Sequence, residues 1–288
     1  MELTDGGWGD VSRRGFVVAR KFLSEEELES LRADYQAHSE KAWAAKSNEN
    51  YDIRVVDPCV LEGLEEKLHD CAQAVATASG VIADMTSDAV YFAIERGIDF
   101  SWHQDHEPYY LFQETYHYLN FYIPIIKPDQ SRTNLCIIPF DNLRARAPET
   151  YERFVGAGGR RLFVRDGVTV VFDDEHETQF VLNFDIDELA VAPQLSPGDL
   201  LLLRGDMIHR TEDTLTERVA VSMRRQSSRT VVSRRRMTSG GPAKKAMIAA
   251  NPGPYERVLS CFAERNVDYL PAGEIIRQLR LQTSRGSL

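Results

Sequence analysis

The chain has 288 residues, 43% hydrophobic and 27% charged, with a formal net charge of −10; this is a globular composition with ample length for a core. The acidic balance argues against a nucleic-acid partner, and no apolar run reaches membrane-spanning length. The acidic N-terminus is unlike a signal peptide, and Cys59, Cys71, Cys136 and Cys261 form no CxxC pair, so neither a zinc nor a disulfide framework is expected and a cytoplasmic location is predicted.

In chain order, Gly15 to Ala19 reads as a short strand. Ser24 followed by Glu25, Glu26 and Glu27 is a capping-box signature, with Glu27 at the third helical position. The helix it opens places Leu28, Leu31 and Tyr35 on one stripe, and a second helix over Leu61 to Ala78 buries Leu64, Leu68, Cys71, Ala72 and Val75. From Ala89 the period changes. Aromatic and β-branched runs at Val90–Ile94, Tyr118–Ile125, Leu135–Pro139, Leu162–Val164, Val168–Phe172, Leu200–Leu203 and Arg218–Met223 are strand-like, with turn signals between them. Such a series predicts a sandwich or barrel. Helical patterns return near Pro254–Leu259 and Ala272–Leu281. The expected organisation is one domain over 1–288: a helical section over about 20–80, a β core over about 88–225 and a helical tail over about 240–288.

The chemistry-bearing residues are sparse. His103 and Asp105 are two apart in Ser101-Trp102-His103-Gln104-Asp105-His106, so on an extended segment both side chains share one face. His106 then faces away unless a turn follows Asp105. Downstream, Pro197-Gly198-Asp199 is a turn before the apolar run Leu200–Leu203, and Arg204-Gly205-Asp206 is a second turn before His209. A ligand at the mouth of a hairpin and an ordinary surface histidine both fit that segment. An H-x-D pair with a distant histidine is the ligand set of the facial triad of non-haem iron oxygenases. The bland reading of any single histidine is packing or solvent, and it is the one adopted for His38, His69 and His176. Nine residues after His209, Arg218 opens a strand whose Ala220 and Ser222 share its face. An arginine there can grip the carboxylate of a co-substrate, or form an ordinary salt bridge.

Taken together, these segments resemble the Fe(II)/2-oxoglutarate-dependent dioxygenases of the phytanoyl-CoA dioxygenase-like branch. Gly15 to Glu27 is similar to that branch's opening, Trp102-His103-Gln104-Asp105 to its first iron motif, Asn134 to Pro139 to an intervening strand, and Pro197 to His209 to its second iron motif. The resemblance spans roughly residues 10 to 225. It implies a mainly β fold with flanking helices and a double-stranded β-helix (jelly-roll) core. It also implies that His103, Asp105 and His209 hold Fe(II), and that 2-oxoglutarate and O2 are co-substrates. Arg218 would grip the distal carboxylate of 2-oxoglutarate, with Thr211, Asn120 and Tyr91 as further contacts, Arg54 as an upstream candidate and Arg224 as the fallback anchor.

The implied reaction is hydroxylation of an unactivated C–H bond in a small organic substrate, with release of succinate and CO2. Related halogenases replace the metal-binding carboxylate by a small residue, so Asp105 favours hydroxylation; desaturation, epoxidation or cyclisation would use the same ligands. A cupin-like metalloenzyme independent of 2-oxoglutarate, or a non-catalytic jelly-roll binding protein, would share the fold. Trp102, Tyr109 and Tyr110 suggest an aromatic substrate wall. The acidic segments Asp173–Glu177 and Asp185–Glu188 read as solvated loops or as a lid for a cationic substrate. Six arginines over residues 224–236 would bind a carrier-protein- or CoA-tethered substrate, or pair with the acidic segment, the second being the expected use.

Overall fold

The computed structural model describes residues 1–3, 6–37, 51–94, 101–212 and 216–286; His38 lies outside them. The elements run β1 (Glu2–Leu3), α1 (Asp10–Arg13), β2 (Phe16–Arg20), α2 (Glu25–Ala37), β3 (Tyr51–Val55), α3 (Pro58–Ser79), β4 (Met85–Ile94), α4 (Glu107–Phe112), β5 (Tyr118–Ile126), β6 (Leu135–Ile137), α5 (Phe140–Arg146), α6 (Pro148–Phe154), β7 (Arg160–Arg165), β8 (Val168–Asp173) and β9 (Thr178–Val181). They continue through β10 (Leu200–Arg204), β11 (His209–Thr211), β12 (Arg218–Gln226), β13 (Val231–Ser233), α7 (Arg234–Thr238), α8 (Pro242–Ala250), α9 (Pro252–Arg265), β14 (Tyr269–Pro271) and α10 (Ala272–Gly286).

Helix α2 begins at the cap read from the sequence, whereas α3 begins at Pro58, three residues before the expected Leu61. Ser24 N–H donates to Glu27 Oε2 at 2.7 Å and Glu27 N–H to Ser24 Oγ at 3.2 Å, a reciprocal capping box. Asp57 Oδ1 accepts from Cys59 N–H at 2.8 Å ahead of α3. That helix stops at Gly80, whose φ of 74° is the left-handed cap a glycine takes without strain. Every expected buried residue of α3, from Leu64 to Val75, is in the core.

The seven-stranded sheet has the order β1-β2-β10-β5-β12-β4-β3 and is antiparallel throughout. The second layer is built from β11–β6 and β7-β8-β9, joined by single-residue bridges from His103 to His209 and to Arg161. This is the jelly-roll arrangement expected, with helices outside it. Val17, Ala19, Leu119, Phe121, Leu200, Leu202, Val219 and Val221 face α2 and α3, meeting Leu31, Leu68 and Val75. The alternate residues Phe16, Val18, Tyr122, Leu201, Leu203 and Ala220 face the second layer. Burial on both faces explains why β10 is an unbroken leucine run rather than an alternating one.

Three features depart from expectation. Helices α4, α5 and α6 interrupt the β core; at six or seven residues each they are too short to show a helical period, and Pro108 and Pro148 start two of them. β10 and β11 form no hairpin: β10 pairs with β2 and β5, while β11 pairs with β6 in the other layer. Residues 205–208 therefore carry the chain from sheet to sheet. The first acidic segment is only partly a solvated loop: Asp173 and Asp174 are buried and the Glu175 side chain is 6% exposed, while Glu177 and most of Asp185–Glu188 face solvent. Arg161 pairs with Asp174 through two bonds of 2.7 Å, and Arg236 with Glu175 through two of 2.8 Å. The expected pairing of the arginine-rich and acidic segments is thus made by Arg236, which fastens the tail to the β8–β9 turn.

Candidate metal centre

Backbone pairing builds the site. His103 N–H donates to His209 carbonyl at 3.1 Å, and His209 N–H returns a bond to His103 carbonyl at 3.0 Å. The two rings consequently lie 4.4 Å apart, centre to centre. Asp105, two residues along, turns its carboxylate to the same side: Oδ1 is 3.6 Å from His209 Nε2 and 4.0 Å from His103 Nε2. One potential ligand atom from each of the three lies within 4.8 Å of the others. His103 Nδ1 is 2.8 Å from Ser101 carbonyl and His209 Nδ1 is 3.1 Å from Met207 carbonyl. A carbonyl can only accept, so each Nδ1 carries the proton and each Nε2 presents its lone pair to the common centre.

The electrostatics suit a cation. Burial, then the neighbouring His209, pulls the His103 pKa down to about 3, so the ring is neutral at physiological pH. Burial works against the Asp105 charge, but His209, Arg224 and His103 outweigh it and hold its pKa below the usual value. Two imidazole nitrogens and one carboxylate on one side of a point are the donor set that a divalent iron accepts with positions to spare. The three residues fit that ion.

What holds this frame was not read from the sequence. Gln104 points away from the centre, fully buried, and donates Nε2–H to Phe154 carbonyl at 3.0 Å and Asp206 carbonyl at 2.6 Å. Asp206 receives two bonds from Arg204, at 2.7 and 3.0 Å, and one from Gly156 N–H at 2.7 Å. Arg204 lies over the rings of Tyr116 and Phe140. The crossing between layers is thus clamped on both sides of the histidines. Its only sequence trace is the R-G-D turn, where charge and turn chemistry suggest a loop and give no hint of a buried ion pair. His106 returns toward the site: it precedes α4, stacks 6.4 Å from His103 and lies 3.5 Å from Asp174.

The co-substrate candidates separate by strand face. Arg218, Ala220, Ser222 and Arg224 share the inner face of β12. Arg218 is 2% exposed, donates to Thr133 carbonyl at 2.5 Å and lies over Tyr122 at 5.4 Å. Among the described residues no carboxylate pairs with it, its Nε has no partner, and burial lowers its pKa. Thr211 is buried on β11 opposite Leu135, two residues from Thr133. Asn120 Oδ1 accepts from Ser222 Oγ at 2.7 Å on the inner face. Arg224, at the other end of the strand, is already paired with Asp88 at 3.0 Å.

Four expectations require correction. Tyr91 lies on the opposite face of the sheet, where its hydroxyl donates to Asp34 Oδ2 at 2.7 Å. Arg54, opposite it on β3, stacks on Tyr35 on that same side. Trp102 is packed beneath Arg210, its Nε1–H donating to Asp187 at 3.1 Å. Tyr109 and Tyr110 are buried against the C-terminal helices, with Tyr109 Oη accepting from Arg236. These rings are buried in the structure and form no open aromatic wall.

The model of the phytanoyl-CoA dioxygenase (PhyH) family matches residues 11–222, most of the chain and every residue of the proposed triad. The chain belongs to the phytanoyl-CoA dioxygenase family. No curated protein matches it significantly. Among solved structures, the family member resembles the non-haem α-ketoglutarate-dependent carbocyclase SnoK of nogalamycin biosynthesis (TM-score 0.54, 13% identity, covering 86% of this chain and 91% of that one). It also resembles EctD from S. alaskensis with 2-oxoglutarate and 5-hydroxyectoine (TM-score 0.53, 14% identity, 80% and 78%). A third likeness is to the epimerase SnoN in complex with Fe3+, α-ketoglutarate and nogalamycin RO (TM-score 0.50, 13% identity, 77% and 82%). At such identities the likeness establishes the shared fold.

Proposed function

We propose that this member of the phytanoyl-CoA dioxygenase family is an Fe(II)/2-oxoglutarate-dependent oxygenase that hydroxylates an unactivated C–H bond of a small organic substrate. The observation carrying the proposal is the convergence of His103, Asp105 and His209, with both imidazoles locked by Nδ1–H bonds so that only Nε2 faces the centre. Bound there, iron with 2-oxoglutarate supplies oxygen activation coupled to release of succinate and CO2. The chain's own residues bind, orient and shield. Arg218, a buried cation with no acid beside it among the described residues, receives the distal carboxylate of 2-oxoglutarate, a charge-assisted interaction. Asn120 and Thr211 line its approach. Arg224 is a poorer anchor because Asp88 already occupies it. The Asp105 carboxylate favours hydroxylation over halogenation, while cyclisation, epoxidation or desaturation would use the same residues.

The test is anaerobic titration of the metal-free protein with Fe(II) and 2-oxoglutarate, following the weak visible charge-transfer band. His209→Ala should abolish the band. Arg218→Ala should retain iron but weaken 2-oxoglutarate binding by roughly 10- to 100-fold, the scale of a lost bond between charged groups. Absence of the band in the unaltered protein, or unchanged affinity in Arg218→Ala, would overturn the assignment.

A further inference from the structure

Beyond Ser222 the inner face of the large sheet changes character. Arg224 stands opposite Asp88 on β4 and Asn120 on β5, and Gln226 stands opposite Tyr118. Arg224 Nη1 donates to Asp88 Oδ2 at 3.0 Å, which leaves Asp88 Oδ1 without a partner among the described residues. The same holds for the Tyr118 hydroxyl and for both amide atoms of Gln226, although each residue is only 1% exposed. From the other side α4, which follows directly on the iron-motif strand, brings Glu107; Asn251 Nδ2 donates to its Oε2 at 3.3 Å. Tyr255 of α9, 2% exposed, adds another hydroxyl with no partner among these residues. Glu107 is two residues past Asp105, and Asn251 at the start of α9 donates to it, so chain connectivity ties this group to the metal-centre segment.

Buried polar atoms without partners are costly, and native interiors hold few of them. A contiguous set at one end of a sheet face, next to a reactive centre, is what a binding surface for polar groups requires. The set is mixed: Asp88 and Glu107 accept, Arg224 donates, and Tyr118 and Gln226 do both. Hydroxyl groups, which also do both, satisfy such a surface, whereas an apolar ring or acyl chain would leave it bare. Two carboxylates against one guanidinium disfavour an anionic group such as a phosphate.

We propose that Asp88, Glu107, Tyr118, Arg224 and Gln226 form the substrate-recognition surface, with Tyr255 of α9 as a further candidate contact, and that the substrate is neutral or cationic and bears several hydroxyl or amino groups, in the manner of a sugar or cyclitol. This rests on the oxygenase reading above and deepens it. It also gives the C-terminal segment, which lies beyond the matched family region, a part in specificity.

The experiment is saturation-transfer NMR on the full chain with Zn(II) in place of iron, using myo-inositol and glucosamine against indole and octanoate. Inositol or glucosamine should bind, and Gln226→Leu and Tyr118→Phe should each weaken that binding about 10-fold. A purely structural role would lower the melting temperature of these variants; a ligand-facing role leaves it unchanged or raised, because each change removes unpartnered polar atoms. Binding of indole or octanoate but not the polyols, binding of neither class, or polyol binding that survives both substitutions overturns the proposal. Calorimetric 2-oxoglutarate affinity, measured on the same samples, reports separately on the oxygenase reading.

Discussion

At the scale of single residues, the metal centre depends on groups that never touch it. The Arg204–Asp206 pair is buried, with side chains 1% and 0% exposed, and Asp206 also holds Gly156 N–H. Removing one partner of such a pair strands the other charge. Asp206→Ala is therefore expected to destabilise the fold by about 3–5 kcal/mol, read as a lower denaturation midpoint, and to weaken iron binding by loosening the segment that carries His209. A loss no larger than that of the more exposed Asp141→Ala would contradict this clamp. The triad residues themselves were legible because H-x-D spacing and strand geometry put His103 and Asp105 on one face. The clamp was not, since nothing local distinguishes a buried R-G-D turn from a solvated one. Tyr91 shows the same limit in reverse: the resemblance offered it as a co-substrate contact, but strand parity turned it toward Asp34.

At the scale of elements, the N-terminal helices were read almost entirely from sequence, because their signals are local. Cap, stripe and stop lie within a few turns of one another, and the Ser24–Glu27 box is formed as expected. Ser24→Ala should cost about 1 kcal/mol, measured as a shift in the urea midpoint; no shift would mean that α2 is held by its packing on the sheet alone. The short helices α4 to α6 escaped notice for the complementary reason, having too few residues for a period to emerge. β10 and β11 were recognised as strands, yet their partners were misassigned. A turn between two apolar runs suggests a hairpin, and only the pairing of β11 with β6 shows that the chain has changed layers.

At the scale of the whole molecule, the tail is tied to the β core by charge. Burial opposes ionisation of Glu175, but Arg236 and Lys244 overcome it and hold its pKa at about 2, against an ordinary 4.5. A carboxylate depressed in the folded state contributes stability fully above its unfolded pKa and loses it as pH falls toward the folded one. Stability should therefore decline between about pH 4.5 and 2, by up to about 3 kcal/mol from this group. Glu175→Gln should flatten that part of the curve while lowering stability at neutral pH; an unaltered pH profile would show that the Glu175–Arg236 link contributes little. By itself the sequence determined the two long N-terminal helices and their buried stripes, the strand-rich core, the H-x-D face and the family, all of which are written in short-range spacing and residue type. Tertiary structure alone decided that His209 pairs with His103, that Arg218 stands without an acid among the described residues while Arg224 does not, and that Tyr109 and Tyr110 pack against the C-terminal helices. These outcomes depend on pairing between segments about a hundred residues apart and on strand register, where a slip of one residue reverses every face.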